Sequence, residues 1–280
     1  MALRIIADST ADIADRYKDD VLRVPLTLYF GETPYIDGVT IDKETFYNRL
    51  VETDELPRTS QASPADFEKL YREVTAQGDS ALVITLSSKL SGTYQSACIA
   101  AADFPNIRVI DSLNVATGSG ILVEYAADCA RAGMTLGELA EHLDKKKKDI
   151  CLVALLDTLE YLKRGGRISR TAAFAGDLLN IKPVITINNG EVSLIGKARG
   201  SRKGNNFLNQ KVDEYGLDFT KPLLLGYSGL SDALLRKYID DSRALWEGQT
   251  DTLDTVRVSS VIGTHAGPGA IVVSFFRRHG

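Results

Sequence analysis

The chain has 280 residues, 44% of them apolar and 25% charged, with a formal net charge of −4. That balance belongs to a folded globular protein with a sizeable core, and it excludes a disordered tail, a collagen-like repeat and a small disulfide scaffold. Three cysteines (Cys98, Cys129 and Cys151) lie far apart without a CxxC pair, which excludes a zinc ribbon and fits a reducing compartment.

No basic segment followed by an apolar run opens the chain, and no apolar stretch approaches the length of a membrane span. The expectation is therefore a cytoplasmic protein without a signal peptide. Charge changes sign along the sequence. Residues 1–150 carry 16 Lys/Arg against 24 Asp/Glu, a net of −8, and residues 151–280 carry 17 against 13, a net of +4. From Lys163 to Lys203 there are nine basic residues and two acidic ones, Asp177 and Glu191. Such a segment is either a solvated loop surface or a docking face for something anionic.

In chain order, Leu3–Ala7, Arg23–Phe30, Ala81–Leu86 and Ile107–Ile110 read as short apolar strands. Helices fall between and after them. One follows Ser63-Pro64-Ala65-Asp66, with Ser63 as N-cap, Pro64 at the first helical position and Asp66 closing a capping box. Tyr94–Asp103 reads as another. A third follows Thr135-Leu136-Gly137-Glu138, also a capping box, with Leu136, Leu139 and Leu143 on one face. Strand–helix alternation predicts a largely parallel sheet with helices on both faces.

Four lysines, Lys145 to Lys148, precede a new strand at Cys151–Leu156. The domain boundary is placed there, giving an N-terminal α/β domain over 1–149 and a C-terminal α/β domain over 150–280. In the second, Lys182–Ile187 and Glu191–Ile195 flank Asn188-Asn189-Gly190, a hairpin turn. Leu223–Tyr227, Val256–Ile262 and Ala270–Phe275 read as further strands. Ser231 is a candidate cap for a helix whose Leu234, Leu235, Tyr238, Leu245 and Trp246 form an apolar stripe. A hairpin among such strands predicts a mixed or antiparallel sheet.

Open α/β sheets bind ligands beyond the carboxyl ends of their strands. Hydroxyls gather there: Asp8-Ser9-Thr10, Arg58-Thr59-Ser60-Gln61, Ser87 to Thr93, and Asp111-Ser112. Ser91-Gly92-Thr93 precedes a helix, where free N–H groups and hydroxyls favour a carboxylate or phosphate. The plainer reading is that these residues only cap helices. Of three histidines, His142 lies on a polar helix face and His279 next to the C-terminus. His265 sits in a glycine-rich turn after a strand, where backbone can approach a ligand. Enzyme signatures are incomplete. Gly226-Tyr227-Ser228-Gly229-Leu230 lacks the last glycine of a nucleophile elbow. Gly118-Ser119-Gly120 is followed by Val123 where a dinucleotide fingerprint needs glycine. No P-loop, HExxH or metal-ligand cluster is present.

Taken together, these residues resemble the DegV family of bacterial fatty-acid-binding proteins. The resemblance rests on Asp8-Ser9-Thr10, Thr59-Ser60-Gln61 with Ser63-Pro64, and Ser88-Lys89-Leu90-Ser91-Gly92-Thr93-Tyr94-Gln95-Ser96-Ala97. It continues through Asp157 to Leu162, Gly165-Gly166-Arg167-Ile168-Ser169, Asn180-Ile181-Lys182-Pro183 and His265 to Ala270. It implies two α/β domains with a long-chain fatty acid, such as palmitate, stearate or oleate, enclosed between them, and a first domain like one in dihydroxyacetone kinases. It implies that Thr59, Ser91 and His265 hold the carboxylate, with Ser60, Gly92 and Thr93 supporting. It further implies that a partner fatty-acid kinase phosphorylates the bound acid for phospholipid synthesis, with Arg167, Arg170, Arg199 and Arg202 facing that partner. On this reading there is no cofactor, no metal and no nucleic acid, the chain is not itself the enzyme, and a transient membrane-surface contact is compatible with the role. Two rivals stand beside it. One is an enzyme binding a small carbonyl compound through His265. The other is a phosphate or nucleotide binder using Ser91–Thr93 and the basic segment.

Overall fold

Leu3–Asp8 forms β1, a strand buried on both sides. It is paired in parallel with β2, Val21–Val24, and β6, Ser80–Thr85. β7, Ile107–Asp111, adds to β6, completing a four-stranded parallel sheet in the order β2-β1-β6-β7. The computed structural model describes residues 2–53, 55–168 and 180–278.

Side-chain alternation along these strands builds two cores. Ile5, Leu82 and Ile84 face α4, Ala116–Arg131, and α5, Leu136–Lys146. Ile6, Ala81 and Val83 face α1, Lys43–Glu52, α2, Pro64–Ala76, and α3, Thr93–Ala101. Both predicted capping boxes form, at Ser63/Asp66 and at Thr135/Glu138. Helices thus cover both faces of the parallel sheet.

The single strand expected over Arg23–Phe30 is two. Pro25 has no N–H and ends β2. The chain then turns into β3, Thr27–Phe30, which pairs antiparallel with β4, Thr33–Ile36, and β5, Arg58–Ser60, in a separate small sheet. Ser9 Oγ accepts from Leu26 N at 3.1 Å and holds this change of direction.

β8, Ile150–Leu155, is the first strand of a six-stranded mixed sheet. After it come α6, Glu160–Arg164, β9, Ile181–Asn188, β10, Glu191–Arg199, α7, Ser201–Tyr215, and β11, Leu223–Tyr227. Then follow α8, Ala233–Asp241, α9, Arg243–Trp246, β12, Asp254–Arg257, α10, Ser260–Ala266, and β13, Ile271–Phe276. The strand order is β10-β9-β8-β13-β11-β12, antiparallel except for β11 with β12. Asn189 and Gly190 both have positive φ (49° and 86°), as the predicted two-residue hairpin turn requires.

Two further expectations are corrected. Val256–Ile262 is not one strand, because β12 ends at Arg257 and Ser260 begins α10. Ser259 is extended between them and turns the chain. In the predicted apolar stripe, Leu235, Tyr238 and Trp246 are buried, but Leu234 is 45% exposed. The helix there breaks at Ser242 into α8 and α9, so the stripe does not run on one continuous surface. Ser231 does accept from Ala233 N, at 3.2 Å.

The two sheets share α4. Leu224, Val256 and Phe276 of the second sheet join the same core as Ile121, Leu122 and Val123. Thr117 and Ser274 hydroxyls bond across at 2.7 Å. Gly118 and Gly120 sit inside this helix and serve close packing. A Cβ at Gly120 would stand 1.7 Å from the Asp12 carbonyl oxygen. Gly120→Ala should therefore lower unfolding stability by about 1–3 kcal/mol or more. Gly137→Ala, in open space on α5, should be neutral or stabilising by up to about 1 kcal/mol. Denaturant midpoints at unchanged m-value read both, and equal midpoints would contradict the packing described.

Candidate ligand site

Alternation in the second sheet decides where the site is. Val153, Leu155, Val184, Ile271, Val273 and Phe275 point to one face, against Leu208 and Val212 of α7 and Leu235 and Tyr238 of α8. Leu152, Ala154, Ile185, Ile187 and Val272 point to the other. That second face is one wall of a cavity of about 450 Å³. Leu26, Leu86, Leu90 and Val115 of the first half form the opposite wall, and Val258, Val261 and Ile262 close it from the β12–α10 segment. The β9–β10 hairpin reaches across, with Ser87 Oγ donating to Gly190 O at 2.7 Å.

Polar groups collect in one part of this otherwise aliphatic space. Thr59 and His265, 206 residues apart, meet with Oγ1 and Nε2 at 2.9 Å. Gln61 lies against Gly92, where a Cβ would stand 2.0 Å from Gln61 Oε1, and donates to Ser96 Oγ at 2.9 Å. Ser91 Oγ is 2.9 Å from Thr93 Oγ1 and accepts from Thr93 N at the start of α3. Arg167 Nε donates to Leu90 O at 3.2 Å beside Ser91, and its Nη1 donates to Gly165 O at 2.6 Å. Thr59, Ser60, Gln61, Ser91, Gly92, Arg167 and His265 all line the cavity.

His265 lies in the last turn of α10, not in a turn after a strand. Burial and, secondarily, the charge of Arg167 hold its imidazole down at a pKa of about 4, so it is neutral at pH 7. Its Nδ1 is buried without a partner, shut in against Gly165, where a Cβ would stand 2.2 Å away. An orphaned N–H is the costlier arrangement there. We therefore assign the proton to Nε2, donating to Thr59 Oγ1, which frees the Thr59 hydroxyl proton for a ligand.

The sequence profile of the family described as "Uncharacterised protein, DegV family" matches residues 2–278. This chain belongs to the DegV family. The DegV domain-containing protein TTE1491 of Caldanaerobacter subterraneus is 36% identical over 279 residues, covering 98% of each chain. A DegV family protein from Thermus thermophilus, its structure described as fatty acid binding, superposes with a TM-score of 0.88 at 30% identity, over 99% of this chain and 100% of that one. A stearic-acid-binding protein from Eubacterium ventriosum matches at 0.86 and 27% identity, over 99% and 98%.

Other residues singled out in the sequence build the site without lining it. Asp8 is buried and accepts from Leu86 N at 2.7 Å and Thr10 N at 2.9 Å. Burial raises its pKa, and these bonds oppose the rise. Asp111 accepts from Ser88 N and Leu113 N, shaping the loop before Ser91. Ser228 of the near-elbow sequence is structural, donating to Gly267 O at 2.6 Å and accepting from Ala270 N at 2.8 Å. Thr93 is fully buried behind Ser91, and Ser60 is exposed at the rim. Arg199 and Arg202 are exposed, and neither lines the cavity. Arg170, Ser169 and His279 lie outside the described residues. Sequence reasoning quoted Gln61 within its motif without giving it a role, and missed the contact of Gly165 with His265 and the aliphatic lining residues. The period-two pattern Ile185/Ile187 and Leu152/Ala154 was the available signal.

A depressed histidine pKa has a definite consequence. Between about 4 and the ordinary value of 6.5 the unfolded chain binds the proton and the folded chain does not. His265 therefore contributes stability that is complete above 6.5 and is lost as pH falls toward 4. NMR titration of ligand-free protein should show His265 protonating near pH 4, and His265→Asn should flatten the stability–pH slope in that window. A midpoint near 6.5 would contradict the burial described.

Proposed function

We propose that this chain binds a long-chain fatty acid in the cavity and presents its carboxylate at Thr59, Ser91 and His265 to a fatty-acid kinase. One observation carries this reading: a cavity of about 450 Å³ with aliphatic walls and hydroxyl, amide and imidazole groups gathered together in it. Burying roughly 15 methylenes at about 0.8 kcal/mol each gives on the order of 12 kcal/mol of gross driving force, much of it offset by the cost of ordering the chain. The tail thus supplies affinity and the polar groups supply orientation. Neutral His265 costs little to keep buried before the ligand enters, and a carboxylate beside it favours its protonation. Ser60, Gly92 and Thr93 support the head group, Gly92 by its lack of a side chain and Thr93 by holding Ser91.

We place the ligand between two domains, 1–149 and 150–280, since β8 opens the second sheet at Ile150. The basic residues Arg167, Arg170, Arg199 and Arg202 are assigned to the kinase. Their charge would steer an acidic partner and offset charge developing on a transferred phosphoryl group. The product would be acyl phosphate for phospholipid synthesis. A small carbonyl substrate bound covalently through His265 is not favoured, because Nε2 is bonded to Thr59 and Nδ1, though unpartnered, is shut in against Gly165. No helix among the described residues is long and apolar enough to cross a membrane.

Protein purified without added lipid should release a stoichiometric long-chain acid on denaturing extraction. Absence of any acyl chain by mass spectrometry, with no binding of added palmitate or oleate, would sink the proposal. Ser91→Ala should weaken acid binding by roughly 1.5–3 kcal/mol, the worth of a bond to a charged acceptor, and Ser60→Ala by far less. Equal affinities would move the head group elsewhere. Replacing Arg170 and Arg199 by Ala should leave lipid content intact and slow acyl-phosphate formation with the cognate kinase, by a factor that shrinks as salt rises. Lost lipid, or undiminished transfer, would remove these arginines from the kinase-facing role.

A further inference from the structure

The approach to α10 is gripped from the other half of the chain. Three consecutive residues precede that helix, and each is held through a backbone group. Lys43 donates to Arg257 O. Tyr47 donates to Val258 O at 3.2 Å. Asp12 Oδ2 accepts from Ser259 N at 3.2 Å, and its Oδ1 accepts from Lys43 Nζ at 2.9 Å. Lys43 and Tyr47 stand one turn apart on α1 and share a face. Asp12 and Tyr47 are buried, so the Asp12–Ser259 and Tyr47–Val258 bonds form with little competition from water, while the Lys43 side chain is 40% exposed. Asp37, also buried, stands near Asp12 and Lys43, its own pKa raised by burial.

α10 has seven residues, too few to hold a position by its own helicity. Its far end is pinned within the second half by Ser228, through Gly267 O. Its near end is pinned by Asp12, Lys43 and Tyr47, which belong to the half that carries Thr59. A Cβ at Gly263 would meet Tyr47 Oη at 2.5 Å and Phe46 Cε1 at 2.7 Å, so α10 lies directly on α1. His265 stands six residues beyond Ser259, about 9 Å along the helix.

We propose that Asp12, Lys43 and Tyr47 are positioning residues that clamp the start of α10 and thereby hold His265 against Thr59. The inference rests on the fatty-acid reading for its ligand but not for its geometry. The clamp also bears on Val258, which lines the cavity, so its loss should be felt at both ends and more strongly at the polar one.

The test uses delipidated full-length protein, palmitate, and hexadecanol, which has the same chain without the carboxylate. Tyr47→Phe removes one clamp contact and leaves no buried charge. The pair Asp12→Asn with Lys43→Met removes the ion pair as a unit. Tyr47→Phe should weaken palmitate binding roughly three- to tenfold, the range of one lost hydrogen bond, and the pair more, with a smaller loss for hexadecanol in both. In the pair variant the His265 NMR midpoint should rise from about 4 toward 6.5 as the site opens to water. Equal losses for acid and alcohol would show only general loosening and overturn the proposal, as would an unmoved His265 midpoint in the pair variant. If the parent protein binds neither compound, the fatty-acid reading fails, and the His265 midpoint still decides the clamp.

Discussion

The contact between Thr59 and His265 is the constraint on which the rest depends. One residue lies on the edge of a three-stranded sheet built from the first sixty residues. The other lies at the end of a seven-residue helix near the C-terminus. Neither element is large enough to fix its own position. Each is held by the body of the protein, and the cavity has a polar end only while both halves keep their register. Much of the buried polar chemistry serves that register. Asp8 ties β1 to the loop after β6. Ser228 ties β11 to the turn after α10. Ser87 ties the β9–β10 hairpin to the first half.

An apolar sheet face cannot be left to water, and here one face is covered only in part by protein. The outer face of the second sheet is packed by α7 and α8 in the ordinary way. Part of its inner face packs on α4, and the rest borders a cavity. A cavity this large forfeits the dispersion contacts that its lining would otherwise make. It persists because its walls belong to two sheets already fixed by α4, whose apolar side chains join one core with both. On the proposed function, an acyl chain filling that space would restore those contacts, which would give tail binding its driving force without rearranging the fold.

Electrostatics divides the molecule in a similar way. Within the cavity the titratable groups are kept neutral or self-satisfied: His265 is depressed by burial, and Arg167 is turned to the carbonyls of Leu90 and Gly165. Free positive charge stands outside, on exposed residues such as Arg199 and Arg202. The cavity walls are thus largely aliphatic, with the one lining guanidinium turned to backbone carbonyls.

Local sequence determined a good deal. The two capping boxes, the Asn-Gly hairpin and the strand–helix alternation were legible because each depends on residues within a few positions of one another. The resemblance of short hydroxyl and glycine motifs pointed to Thr59, Ser91 and His265 together, and the fold brings two of these into contact and puts the third in the lining of the same cavity. Boundaries failed where a single residue redirects the chain, at Pro25 and again where β12 gives way to α10 at Ser259. Only the tertiary structure decided which face of the second sheet lines the cavity, that Gly165 exists to admit an imidazole, and that Asp8 and Ser228 are braces and not ligands. The physical reason is one of range. Capping and turns are satisfied by neighbours in sequence, whereas a cavity wall is defined by what stands across from it, and here that is chain up to two hundred residues away.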